Sequence, residues 1–261
     1  MASHHTRSLS FPSKPHPIAD QLDEQLCRLK SSQAASTSSL TNKLTSLKEL
    51  YQSVDEFLQL PIGQKTISQT QWTEEMLDGS LRLLDICATS RDALVQSKER
   101  LQDIQSVLRR RCSGEFNITS EVDEYLKTRK TSKKIIKKCL KDIKEVDNTN
   151  EANVLKDVQA LTVDVFKSLL SYISGSQKSS WSFSKLISQK AEKDSTASTN
   201  EFDVVDATLE LMICQKKKAN IVDISQLVKL ESEIQEIEEV LESLFRHLIK
   251  TRATLLNVLS N

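Results

Sequence analysis

Between Leu227 and Leu248 an apolar residue occupies every core position of a seven-residue repeat: Leu227, Leu230, Ile234, Ile237, Leu241, Leu244 and Leu248 follow one another at steps of 3, 4, 3, 4, 3 and 4. A mean spacing of about 3.5 puts all of them on one face of a helix. Water does not tolerate so long an apolar stripe on a lone helix, so this seam must be covered by another helix. The chain is therefore built by helix packing. Turn residues say the same: the 261 residues hold four glycines and four prolines, three of the prolines before residue 18, too few for a many-stranded sheet. With 38% hydrophobic and 5% aromatic residues, slender aliphatic seams fit better than a thick core around a large cofactor. The expected fold is all-α: an elongated up-and-down antiparallel helical bundle with long helices and coiled-coil-like seams.

Residues 1–17, MASHHTRSLSFPSKPHP, carry no acid and three prolines and read as a disordered leader. Residues 18–261 read as a single bundle domain. Its first helix is expected over Ile18 to Lys30, with Ile18, Leu22, Leu26 and Leu29 on one face, before a Ser-rich break at 31–39. Leu40, Leu44, Leu47, Tyr51, Val54 and Leu58 mark the next, which Pro61 and Gly63 end, leaving Leu60 to Gln71 as an ordered connection. A long third helix from Glu74, capped by Thr73, to Arg111 is expected to turn Leu77, Leu81, Leu84, Cys87, Leu94, Leu101, Ile104 and Leu108 inward. Ser90 and Ser97 weaken its middle, and Cys112, Ser113 and Gly114 stop it. A fourth carries Val122, Leu126, Ile135, Ile136, Cys139, Leu140 and Ile143, and a fifth Val154, Val158, Leu161, Val165, Leu169 and Tyr172. A flexible Ser-rich connection near 175–200, holding Trp181, Phe183 and a short helix at Ser184 to Lys193, leads to an element with Phe202, Val205, Leu209, Met212 and Ile213 inward. Short connections between long helices make neighbours antiparallel.

Lys plus Arg and Asp plus Glu number 36 each, so no overall field attracts nucleic acid. The charges are segregated, however. Lys127 to Lys144 holds nine basic residues and one acid, whereas Asp223 to Glu242 holds seven acids and one base. Either these helices neutralise each other or stay solvated, or the basic one offers Lys130, Lys133, Lys134, Lys137, Lys138 and Lys141 to an anionic surface. The same segment carries Ile135, Ile136, Cys139, Leu140 and Ile143, the stripe a bundle helix needs in any case. No run of 18 apolar residues is present to span a membrane.

Signals for chemistry are sparse. Of four histidines three lie in the leader, and His247 has no ligand partners at metal spacing. The five cysteines are scattered without C-x-x-C, as reduced thiols of an intracellular protein are. With four glycines there is no phosphate-cradling loop, and no G-x-S-x-G elbow occurs. No cofactor, metal or catalytic residue is expected.

Several strings carry a resemblance: the leader with IADQLDEQLCRLKSS, LPIGQ at Leu60 to Gln64, WTEEMLDGSLRLLD from Trp72 with CATSRDAL after it, and VDEYLKTRKTSKKIIKKCLK. Together they resemble a plant-specific helical family grouped with the BYPASS proteins of root and shoot development. The resemblance implies a plant source, an all-helical fold and a developmental role, and it supplies no catalytic residues to carry over. It also makes the plastid the alternative to a cytoplasmic location. The expected function is a non-enzymatic bundle acting through an unidentified protein partner, with self-association among the options. The alternative is a peripheral membrane protein that binds anionic lipid through residues 127–144.

Overall fold

Where apolar residues recur at three and four, the computed structural model forms helices: α1 (Pro17–Ser31), α2 (Thr37–Gln59), α3 (Pro61–Ser68), α4 (Thr73–Arg110), α5 (Thr119–Asp142), α6 (Val154–Ser174), α7 (Glu201–Cys214) and α8 (Ile224–Ser260). The structure describes residues 17–31, 37–68, 73–110, 118–143, 154–175, 200–214 and 223–260. The leader, the Thr73 side chain, the terminator at Cys112 to Gly114, and the Ser-rich connection with Trp181, Phe183 and the short helix at Ser184 to Lys193 lie outside the described residues.

The spine is the antiparallel pair α4 and α8, of 38 and 37 residues, each about 55 Å long at 1.5 Å per residue. Its register is written in side-chain bonds that rise along one helix and fall along the other: Arg252 to Ser80, Arg91 to Glu242, Lys98 to Glu238, and Gln102 to Glu231. All seven seam residues, Leu227 to Leu248, are buried, none more than 2% exposed. Each such side chain contributes about 1.5–3 kcal/mol relative to exposure. Opposite them α4 buries Leu83, Cys87, Leu94, Leu101 and Ile104. Ser90 and Ser97, expected to weaken the middle, are fully buried in this face. Their hydroxyls donate to the carbonyls of Ile86 (2.9 Å) and Ala93 (2.7 Å), so small side chains let the helices approach while no polar atom goes unpaired. Leu81 is a correction. Expected inward, it is 46% exposed, because Met76, Ser80, Leu83 and Cys87 occupy the core-facing line and a 3.6-residue turn carries position 81 off it.

α2 buries the expected Leu40, Leu44, Leu47, Tyr51, Val54 and Leu58 and packs mainly on α8 and α1. The connection after it contains a helix. Pro61 opens α3, where its missing N–H costs nothing. Gly63 allows the tight corner: a Cβ there would stand 2.1 Å from the Phe57 carbonyl oxygen. α6 turns Val158, Leu161, Val165, Phe166, Leu169 and Ile173 inward, and Gly175, at φ +77°, closes it in the left-handed conformation that favours glycine. The Asn200 side chain accepts from the Phe202 N–H (2.9 Å) and donates to the Tyr172 carbonyl (2.7 Å), tying the start of α7 to the end of α6. α5 runs against α4, α6 and α7. The buried apolar residues of these described helices form one cluster. Among the described residues no helix is long and apolar enough to cross a membrane.

Candidate functional site: the flanks of helix α5

α5 presents four kinds of surface. Val122, Tyr125, Arg129, Ser132 and Ile136, at steps of three and four, form its buried line. Ile135, expected in the same stripe as Ile136, is 52% exposed, since adjacent residues stand about 100° apart on a helix and only one can join that line.

Facing α7 is a buried ionic node that the sequence reading did not anticipate. Asp206, 5% exposed, accepts bonds from the Tyr125 hydroxyl (2.8 Å), Arg129 Nε (3.1 Å) and Nη2 (3.2 Å), and Lys133 Nζ (2.8 Å). The Arg129 guanidinium lies 4.2 Å from the centroid of the Phe202 ring, which itself meets Tyr172 edge-on. Burial alone would raise the Asp206 pKa, but the Arg129 and Lys133 charges outweigh it and hold the carboxyl below its ordinary value. Burial, reinforced by Asp206, pushes the Tyr125 hydroxyl well up, so it remains a donor. The node fixes α7 on α5. Its sequence signal was present but bland: Asp206 sits in the apolar line Phe202, Val205, Leu209, and Arg129 in the line Val122, Tyr125, Ser132, Ile136.

Away from the core lie Lys130, Lys134, Lys137, Lys138 and Lys141, all exposed. Among the described residues none of these five has a carboxylate within ion-pair distance; the ion pairs of this stretch are Lys127 with Glu124 (2.9 Å) and the bonds of Arg129 and Lys133 to Asp206. Lys133, grouped with them by sequence, therefore belongs to the node. Among the described residues no ion pair joins the basic run to the acidic one. Four acids of α8 bond other helices: Glu231 accepts from Gln102 and Gln105 (both 2.7 Å), Glu233 from Tyr172 (2.9 Å), Glu238 from Lys98 and Glu242 from Arg91 (2.7 Å).

Beside the lysines, between α5, α4 and α6, is a half-open cleft of about 340 Å³. Leu83, Ile86, Ile135, Ile143 and Val163 give it an apolar lining, and Arg82, Asp85, Lys138 and Asp142 border it. Cys139 also lines it, its thiol pKa raised by burial and then by Asp142 and Asp85. Cys87, deeper in the core, is pushed up to about 12 by burial, so its thiol stays protonated at neutral pH. His247 bonds the buried Asp55 carboxylate at 2.8 Å, with Thr251 on the other oxygen at 3.2 Å, and so links α8 to α2. Among the described residues no three His, Cys, Asp or Glu side chains gather as a metal-binding group.

These features define an all-helical bundle protein whose built polar centre is structural and whose outward helix carries unpaired charge beside an apolar cleft. A family model described as Protein BPS1 matches residues 43–258, which include α5, the node and the cleft, and the chain belongs to that family. No curated protein and no solved structure matches the chain.

Proposed function

We propose that this protein acts in plant root and shoot development without catalysis, by docking a partner protein on the outward face of α5. One observation carries this reading. Of the two charge runs in the chain, the acidic one commits Glu231, Glu233, Glu238 and Glu242 to bonds with α4 and α6, while Lys130, Lys134, Lys137, Lys138 and Lys141 are exposed and, among the described residues, unpaired by carboxylates. Folding gains nothing measurable from five like charges on one face; like-charged neighbours at i, i+4 cost a few tenths of a kcal/mol each. A negatively charged partner removes that cost and gains steering. Membership of the Protein BPS1 family and its kinship with the BYPASS proteins support the developmental setting. The high thiol pKa of Cys87 and the engagement of His247 with Asp55 support a non-enzymatic role. Cys27, Cys87, Cys139 and Cys214 are free thiols, which supports the cytoplasm over an oxidising compartment, with the plastid stroma as the alternative.

Proximity labelling in root tissue tests the proposal. Wild-type protein is compared with a variant in which Lys130, Lys134, Lys137 and Lys141 are changed to Glu, with folding checked by circular dichroism; Lys133 is left intact because its charge holds Asp206. Loss of a discrete set of partners in the variant is the expected result. An identical set in both ends the proposal. A second reading, binding to anionic lipid, draws on the same exposed lysines and on Ile135 beside them. Co-sedimentation with phosphatidylserine vesicles but not with phosphatidylcholine vesicles would favour it.

A further inference from the structure

The bundle already seats one acidic amphipathic helix against its basic one. α7 carries Glu201, Asp203, Asp206 and Glu210 and no base, and turns Phe202, Val205, Leu209 and Met212 inward. Its Asp206 carboxylate takes two cations out of the basic run, Arg129 and Lys133. The two are held differently. Arg129 is 2% exposed, whereas the Lys133 side chain is 40% exposed even with its Nζ 2.8 Å from Asp206 Oδ2. On the helix surface the neighbours of position 133 are Lys130, three residues before it, and Lys137, four after it, at about 5–6 Å between Cβ atoms. Lys133 therefore stands at the border between the buried node and the exposed lysines, and its flexible stem lets the ammonium serve either side.

Stability alone does not select this node. Nη1 of Arg129 is buried without a hydrogen-bond partner, and an apolar pair of similar volume is often at least as stable as a buried ion pair. What a charged node has and an apolar one lacks is a response to another charge. Resting on the partner-docking role proposed above, we infer that α7 is a built-in competitor of the partner: Asp206 and an acidic helical segment of the partner protein contend for Lys133. Occupation of the outward face of α5 then loosens α7, and α7 in its seat weakens the partner by the same factor, because linkage is reciprocal. When a partner carboxylate draws Lys133 outward, Asp206 loses one of the two positive charges that offset its burial, while Arg129, Tyr125 and the apolar side chains still hold α7. The chemistry of the partner follows from α7 itself. Asp203, Asp206 and Glu210 step by three and four, as Lys130, Lys133 and Lys137 do, so a helix with carboxylates at those steps matches the lysines in spacing and opposes them in charge.

The test uses the full chain and an alanine-based peptide of about 15 residues with Glu at steps of three and four, long enough to follow the lysines of α5. Amide exchange is read by mass spectrometry. The expected result is that saturating peptide speeds exchange across Glu201–Cys214 about fivefold or more and leaves the α4–α8 spine unchanged, while a peptide with Gln in place of Glu, or sodium chloride at equal ionic strength, does neither. Asp206→Asn binds the Glu peptide about fivefold more tightly. Glu210→Gln removes an equal charge from the exposed side of α7 and changes affinity by less than about twofold. Lys133→Gln still binds through the exposed lysines, but saturating peptide no longer changes its α7 exchange. Wild type and Lys133→Gln decide the matter even if Asp206→Asn does not fold. The inference is overturned by unchanged α7 exchange in saturated wild type, by acceleration that persists in Lys133→Gln, or by equal tightening in Asp206→Asn and Glu210→Gln, which a long-range field alone would give. A peptide that binds neither wild type nor Asp206→Asn overturns it too, as does acceleration by phosphatidylserine vesicles and not by peptide, which would assign the competition to a lipid surface. If partner labelling depends on the lysines while α7 exchange ignores the peptide, the interaction role stands and the competition falls.

Discussion

Replacing Asp206 by Asn removes the charge that α7 places against α5 and leaves the shape almost intact. Tyr125 keeps an oxygen to which it can donate, and Lys133, whose side chain is 40% exposed, turns out into water at little cost. Arg129 cannot follow. It is 2% exposed, its Nη1 already lacks a hydrogen-bond partner, and Phe202 covers the guanidinium at 4.2 Å. Breaking a buried pair by neutralising one member costs about 3–5 kcal/mol, most of it the stranded charge. Thermal unfolding followed by circular dichroism reads this if α7 unfolds with the rest, as a fall in melting temperature on the order of 10 °C. If α7 instead detaches alone, amide exchange across Glu201–Cys214 accelerates while the spine stays protected. The pH dependence adds a check of sign. Asp206 is held below its ordinary pKa in the fold, so its contribution is fully present above the unfolded carboxylate value and is lost as pH falls through the folded one. Wild-type stability therefore drops on acidification by an amount that Asp206→Asn lacks. Pairing Arg129→Met with Asp206→Leu recovers much of the loss, because an apolar pair strands no charge. A single-variant cost below about 1 kcal/mol with α7 exchange unchanged would refute the view that this node holds α7.

Ile237→Lys, at a seam position 1% exposed, costs roughly 3 kcal/mol or more in denaturant unfolding, and an unchanged midpoint would show that the seam is open to water. Gly63→Ala forces its Cβ against the Phe57 carbonyl 2.1 Å away, so the α2–α3 corner must shift, with an expected loss of about 1–3 kcal/mol in the same assay. Timed alkylation with iodoacetamide near pH 8 labels the exposed Cys27 and Cys214 first, Cys139 more slowly, and Cys87, buried with a pKa raised to about 12, only after unfolding; early loss of Cys87 in peptide mapping contradicts the packing described for α4.

The strongest periodic stripes were legible without coordinates. The seam from Leu227 to Leu248, the α2 line from Leu40 to Leu58 and the α6 line from Val158 to Leu169 are buried as their spacing requires. Spacing is enough there because one continuous apolar face has one way to leave water. Single positions at the border of a stripe were not legible: Leu81 and Ile135 are as apolar as their neighbours, and which side of the border they take depends on the rotation of each helix against its partners. The helix α3 was hidden for another reason. Pro61 and Gly63 stop α2 and at the same time start and admit the next helix, and composition does not distinguish the two uses.

By itself, then, the order of residues determined that this chain is helical, which faces are greasy, and where positive and negative charge accumulate, since those properties follow from spacing along one helix. Tertiary structure alone decided which charges meet. It buried Arg129, Asp206 and part of Lys133 together, spent Glu233 and Glu238 of α8 on α6 and α4, and left Lys138 at the edge of a cleft that Asp85 also borders. An ion pair depends on distances of 3–4 Å between helices far apart in the chain, and no local pattern carries those distances.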